Sequence, residues 1–331
     1  MKFLLFFLLS FLIYACGAVK FNQVYEGYGA EGFHARGMTS HDSLLSISGA
    51  KGKVTIFNLN SLSVVDTFTI KASDFRGVQF VQASTLLLMN SGDRGLIYQY
   101  NLATKQLNAV LSQDSAFYDA IAINKSGVGF MMGDPIDNQF TLYKTIDFGK
   151  NWEMLDNLPS PLKGEAGFAA SNTGIAYYGS TVYFATGASD TARLIKSEND
   201  GETWTAINTP MRSGGSHGIY SIAFWSAKNG MIAGGSYVDK LENDSICFIT
   251  NNGGKTWTNR SLGLPGYTSC VTASQNGKLI VATGRLGVMY STDKGKTWQA
   301  LTKQPFYAAK IVGDKICLSG QRGTLSIYLM Q

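Results

Sequence analysis

Apolar residues fall in short alternating runs, separated by turns rich in Gly, Asn, Asp and Ser. This turn-punctuated pattern predicts many short β-strands rather than helices. Near the start, runs at 43–48 and 54–57 lead into Asn58-Leu59-Asn60-Ser61, and a third run follows at 64–69. The arrangement repeats at 86–89 and 96–100, then Asn101-Leu102-Ala103-Thr104, then 107–111. Both groups read as hairpins closed by Asn/Ser turns.

A stronger regularity follows. Thr145-Ile-Asp147-Phe-Gly149-Lys-Asn151-Trp152 has three later counterparts: Ser197-Glu-Asn199-Asp-Gly201-Glu-Thr203-Trp204, Thr250-Asn-Asn252-Gly-Gly254-Lys-Thr256-Trp257 and Ser291-Thr-Asp293-Lys-Gly295-Lys-Thr297-Trp298. The shared pattern is [ST]-x-[DN]-x-G-x-[TN]-W, and the tryptophans lie 52, 53 and 41 residues apart. It resembles the Asp-box, the bacterial-neuraminidase repeat. In physical terms it is a hairpin device. The Asp or Asn oxygen accepts backbone N–H groups of its own turn. The Gly supplies a left-handed position, and the Trp returns the chain to the apolar layer. Asp147, Trp152, Asn199, Trp204, Asn252, Trp257, Asp293 and Trp298 are therefore structural candidates. The resemblance implies a place on the outer hairpin of a propeller blade.

Each box follows one strand and precedes another, as at 140–145 and 152–155. Two plain blades, four box blades and a three-stranded remnant (306–312, 315–319, 324–329) make seven. The remnant lacks its outer strand, and the lone strand at 20–26 can supply it. The expected fold is all-β: a seven-bladed β-propeller over residues 20–331, its ring closed by the N-terminal strand. That is about 45 residues per blade, near the expected repeat. Composition agrees. Glycine is 37 of 331 residues and charged residues are only 15%, which suits turns and strands buried between blades. A net charge of +5 over this length is too dilute for a nucleic-acid binder.

Three stretches carry a closer resemblance: the boxes, Ala116-Phe-Tyr-Asp119-Ala120 through Met132-Gly-Asp134-Pro135, and Gly164-Glu165-Ala-Gly-Phe-Ala-Ala-Ser171. With repeated Arg-Gly elements, they make the chain look like the photosystem II stability/assembly factor-like propeller family. That resemblance implies a seven-bladed propeller and, in photosynthetic members, a role in assembling a membrane complex. Fold alone does not transfer the role. Relatives are often labelled oxidoreductases, yet the single GxGxxG, from Gly27 to Gly32, precedes another strand rather than the helix that dinucleotide binding needs. No cofactor is expected.

The first residues read as an address. Met1 and Lys2 precede an apolar run at 3–14, too short to span a bilayer. Small residues follow, so 1–18 reads as a secretory signal. Ile13-Tyr14-Ala15-Cys16 resembles a lipobox, with Cys16 acylated; ordinary cleavage after Ala18 is the alternative. The chain is thus expected to be exported to the periplasm or cell envelope and held on a membrane by lipid alone, or else secreted. Cys247, Cys270 and Cys317 show no CxxC spacing and read as small buried hydrophobes, with a single disulfide as the other option.

No HExxH, GxSxG or P-loop occurs, and the three histidines lack ligand-like spacing. Neither a metal site nor a catalytic residue is expected. Basic residues are more informative. Lys51, Arg94 and Arg322 recur in Ser-Gly-x-[Lys/Arg]-Gly elements between second and third strands, with Arg285 in a variant. Arg36 and Arg76 precede Gly at first strands, and Arg212 and His217 lie in a Gly/Ser loop. In a propeller these loops share one face, opposite the boxes. The eight residues should form a basic arc near the channel mouth, facing an acidic counter-arc of Asp119, Asp134 and Glu165. Arginine forks suit carboxylate and phosphate; the competing reading is that they cap carbonyls in Gly-rich turns. Function is therefore expected to be non-enzymatic binding of a protein partner, such as a membrane complex, or of an anionic ligand or glycan. The alternative is a sialidase-like glycoside hydrolase, which needs three arginines around a Tyr–Glu pair.

Overall fold

The computed structural model describes residues 19–28, 33–71 and 73–331. The signal segment and Cys16 lie outside these residues, as does part of the GxGxxG stretch. Seven four-stranded antiparallel sheets follow one another around a ring. We number them blades 1 to 7 from residue 35. Each runs from an inner first strand at the channel to an outer fourth strand. Blades 1 and 2 span 35–69 and 75–114; blades 3 to 6 span 118–154, 175–208, 217–259 and 268–302. Blade 7 takes Ala308–Val312, Lys315–Ser319 and Leu325–Met330 from the end of the chain. Its outer strand is Phe21–Gly27, antiparallel to Leu325–Met330. The chain therefore closes its own ring, as the sequence predicts, and every blade packs both faces against its neighbours.

The apolar core is divided rather than central. Seven clusters each lie between two neighbouring blades, such as Phe130, Met132 and Leu142 of blade 3 against Val182, Phe184 and Ile195 of blade 4. The ring closes on the same kind of contact: Leu45, Ile47 and Phe57 of blade 1 meet Cys317, Leu325 and Ile327 of blade 7. Cys247, Cys270 and Cys317 are buried, free and in three different blades. Each packs as the small hydrophobe expected.

All four boxes join the third and fourth strands of blades 3 to 6. In the first, Thr145 Oγ1 donates to Asp147 Oδ1 at 2.9 Å and accepts from Gly149 N–H at 3.0 Å. Asp147 Oδ1 also accepts the N–H groups of Lys150 and Asn151, each at 3.0 Å. Two consecutive residues are left-handed, not Gly alone: Phe148 (φ 63°) with Gly149 (φ 78°), and Lys294 (φ 62°) with Gly295 (φ 76°). The box glycines also reach back onto the preceding blade. A Cβ on Gly149 would stand 2.4 Å from Leu87, and one on Gly201 would stand 2.6 Å from the Phe130 ring. The box thus fixes its own hairpin and docks it on the neighbour. Among the described residues no helix is long and apolar enough to cross a membrane.

Candidate functional site: a basic aromatic cup at the channel mouth

The first strands share an irregularity that builds the site. In five blades the pairing of first and second strands slips by one residue. The extra residues are Arg36, Arg76, Asp119, Tyr220 and Ser269. Such a bulge re-aims one side chain out of the alternating pattern, and all five line one cavity of about 340 Å³. Phe117, Phe168, Tyr237, Tyr267, Arg285 and Tyr307 complete most of the wall. Every blade, or the loop entering it, contributes, so the cavity is the mouth of the central channel.

Its floor is a plug. The segment entering blade 4 sends side chains to four other blades. Asn172 Oδ1 accepts Ile121 N–H at 2.9 Å, while its amide reaches the carbonyls of Val78 and Ile121, both at 3.3 Å. Ser171 donates to the Ser269 carbonyl at 2.8 Å, and Thr173 meets Ser221 at 2.6 Å. Residues reaching blades 2, 3, 5 and 6 at once occupy the channel itself. Above them Phe168 stacks on Tyr220 at 3.9 Å, and Tyr267 stands edge-on to Tyr220 at 4.9 Å.

Charge in the cup is mostly positive. Arg36 lies over the Tyr307 ring at 4.4 Å. Burial, then the neighbouring charge of Arg76, pushes the Arg36 guanidinium below its ordinary pKa. Arg76 is held by Asp74 at 2.9 Å. Arg285, exposed at the rim, forms no ion pair among the described residues. Asp119 is the acid of the cup. It is 1% exposed, and neither carboxyl oxygen has a hydrogen-bond partner. Burial first, then Asp134, push its pKa well above the usual carboxylate range, against a smaller opposing pull from Arg76.

The other basic candidates are placed elsewhere. Lys51 and Arg94 line a separate groove over blades 1 and 2, where Arg94 pairs with Asp114 at 2.9 Å. Arg212 and His217 both bond Glu242, His217 Nε2 at 2.7 Å, and the carboxylate offsets the Arg212 charge. Arg322 sits exposed in a left-handed turn of blade 7 (φ 55°). The counter-arc is also redistributed. Glu165 is fully buried against Arg193 and Thr186, inside the protein rather than on its face. Asp134 accepts the Gly167 N–H at 3.0 Å beside Asp119.

The recurring Ser-Gly-x-[Lys/Arg]-Gly element has a structural use for its first residue. Ser48 donates to the Phe75 carbonyl (2.9 Å), Ser91 to Tyr118 (2.6 Å), Thr283 to Tyr307 (3.4 Å) and Ser319 to Ala35 (3.1 Å). Each latches one blade to the entry of the next. The cup aromatics are what sequence reasoning missed. Of them Tyr220 alone carries a signal, and a weak one: it is an extra residue before a small one, as are Arg36, Arg76, Asp119 and Ser269.

A model of the BNR/Asp-box repeat matches residues 289–300, the fourth box with its flanking strand residues. Together with the seven-bladed ring, this supports the sialidase-like propeller superfamily. No curated protein matches the chain. Sialidase-like chemistry needs a tyrosine paired with a glutamate beside three arginines. The cup holds the arginines and tyrosines, but no glutamate lines it among the described residues.

Proposed function

We propose that this protein is a non-enzymatic binding propeller that takes an anionic, carboxylate-bearing group of its partner into the cup. One observation carries the reading: Arg36, Arg76 and Arg285 converge in an aromatic-walled cavity assembled by the whole ring. Two like charges packed together and partly desolvated are unfavourable in the empty cup. An anion relieves that repulsion and meets guanidinium forks suited to carboxylate geometry. The tyrosine and phenylalanine faces add apolar area around a planar or ring-shaped group.

The partner is read as a protein or membrane complex presenting such a group, or as a glycan carrying one. Export and anchoring through Cys16 belong to the same proposal. Palmitate labelling of wild type and Cys16→Ala tests the anchor, and equal labelling removes it. For the cup, the triple variant Arg36→Gln/Arg76→Gln/Arg285→Gln should lose partner capture in a crosslinking pull-down from native membranes. Arg94→Gln and Arg322→Gln should retain it. Capture unchanged in the folded triple variant overturns the reading. The sialidase-like alternative has the arginines in its favour; release of sugar from a sialoside, lost in Asp119→Asn, would establish it instead.

A further inference from the structure

Asp119 is the one charged residue lining the cup that the binding reading leaves unused. It sits on the blade 3 bulge, with Arg76 of blade 2 on one side and Asp134 of its own blade on the other. Gly167, from the loop entering blade 4, covers it: a Cβ there would stand 2.3 Å from Asp119 Oδ2. A buried carboxylate is normally paired or hydrogen-bonded. Asp119 has no hydrogen bond to either oxygen, although Asp134 beside it accepts the Gly167 N–H and reaches partial exposure. Of two close carboxyl groups, the one without donors or water holds the proton.

We infer that Asp119 stands in the cup as a neutral carboxylic acid and that the cup binds its anion together with this proton. The inference rests on the binding reading and adds its regulation. With the proton in place, the cup presents Arg36, Arg76 and Arg285 with Asp74 as the one carboxylate paired to Arg76. With the proton lost, a new carboxylate next to Arg76 competes with the incoming anion. Binding and protonation therefore help each other, and the linkage is reciprocal. Burial favours the neutral form, and so does the nearby Asp134. Arg76, itself shared with Asp74, pulls the other way. Gly167, which covers the carboxyl group, brings no charge.

The probe is benzoate, which carries one carboxylate on an aromatic ring and stays ionised throughout the window used. Calorimetry at rising pH should show wild-type affinity constant while the free cup keeps this proton and falling beyond the point where it is lost, with a limiting slope of about tenfold per pH unit. Repeating the titrations in buffers of different ionisation enthalpy should show proton uptake on binding above the pKa of the free cup. Asp119→Asn should still bind benzoate, lose this dependence and bind more tightly than wild type at the alkaline end. Whatever pH dependence persists in that variant comes from other groups and is subtracted. Should Asp119→Asn fail to fold, the Asp119 carboxyl ¹³C shift in wild type decides, since it must report the protonated form at neutral pH. An ionised Asp119 there overturns the inference, as does wild-type affinity that stays flat across the pH range in which that shift records loss of the proton. Absence of benzoate binding at every pH overturns the cup reading together with this one. Arg36→Gln tells the two failures apart, because it should abolish binding while leaving the Asp119 signal that of a protonated acid.

Discussion

Asn172 is a severe test of the plugged channel. It is left-handed (φ 61°), a conformation that Asn tolerates and Ala does not. Its amide holds the inner strands of blades 2 and 3 together through three hydrogen bonds. Asn172→Ala removes all three. The two longer bonds, at 3.3 Å, contribute about 0.5 kcal/mol each, and leaving the Ile121 N–H without a partner costs about 1–2 kcal/mol. Forcing Ala into the left-handed region adds about 1 kcal/mol. The expected loss is about 3 kcal/mol, read as a lower urea midpoint at unchanged slope. Asn172→Gly removes the same bonds but suits the backbone, so it should recover about 1 kcal/mol. Both variants undercut the floor of the cup, and benzoate affinity should fall with stability. A loss below about 1 kcal/mol for Asn172→Ala would mean that the segment merely rests in the channel. Equal losses for Ala and Gly would remove the backbone share.

Ser91→Ala breaks the buried latch onto Tyr118 and should cost about 1–2 kcal/mol by denaturant titration, while the exposed Arg94→Ala should cost well under 1 kcal/mol. Partial burial pushes Asp147 and Asp293 upward, but the N–H groups of Asn151 and Thr297, with their side chains, outweigh it and hold both below the usual carboxylate pKa. Their contribution is therefore complete above the unfolded value near pH 4 and lost as pH falls through the lower folded value. Asp147→Asn/Asp293→Asn should flatten the acid limb of the stability curve, as Asn199 and Asn252 already do in their own boxes; an unchanged limb in Tm against pH would refute this. Trp204 donates to the Gly201 carbonyl at 3.1 Å, whereas the Trp257 indole N–H is buried without a partner. Trp204→Phe should cost at least about 1 kcal/mol more than Trp257→Phe in thermal melts.

How far the chain could be read depends on what repeats. The boxes, the hairpin turns and the strand at 20–26 are local patterns with fixed spacing, so the blade count and the closure were legible. The basic arc was legible only by loop position. Arg36, Arg76 and Arg285 do reach one cavity, while Arg94 lies on its neighbour strand and Arg212 turns to Glu242. Partners such as Glu242 come from distant loops, and no spacing in the sequence announces them. Glu165 shows the same limit: its place in the counter-arc followed from blade order, yet Arg193 of blade 4 draws it inside.

The bulges explain why the site was legible only in part while the fold was legible throughout. A propeller needs each first strand to alternate, one face toward each neighbouring blade, and this alternation is what hydrophobic patterning detects. A side chain aimed along the channel toward its mouth belongs to neither face. It becomes available only where one residue drops out of register, and the register resumes at the small residue that follows. Arg36, Arg76, Asp119, Tyr220 and Ser269 occupy that position in five blades, with chemistry that differs at every step except the first two. Structural residues copied around the ring stay alike, as the latching Ser48, Ser91 and Ser319 do. At the bulge each side chain answers to its own neighbours rather than to the repeat: Tyr220 stacks on Phe168, and Ser269 donates to the Tyr307 carbonyl at 2.8 Å. In a ring built from near-copies, that divergence is what gives the channel mouth its uneven chemistry.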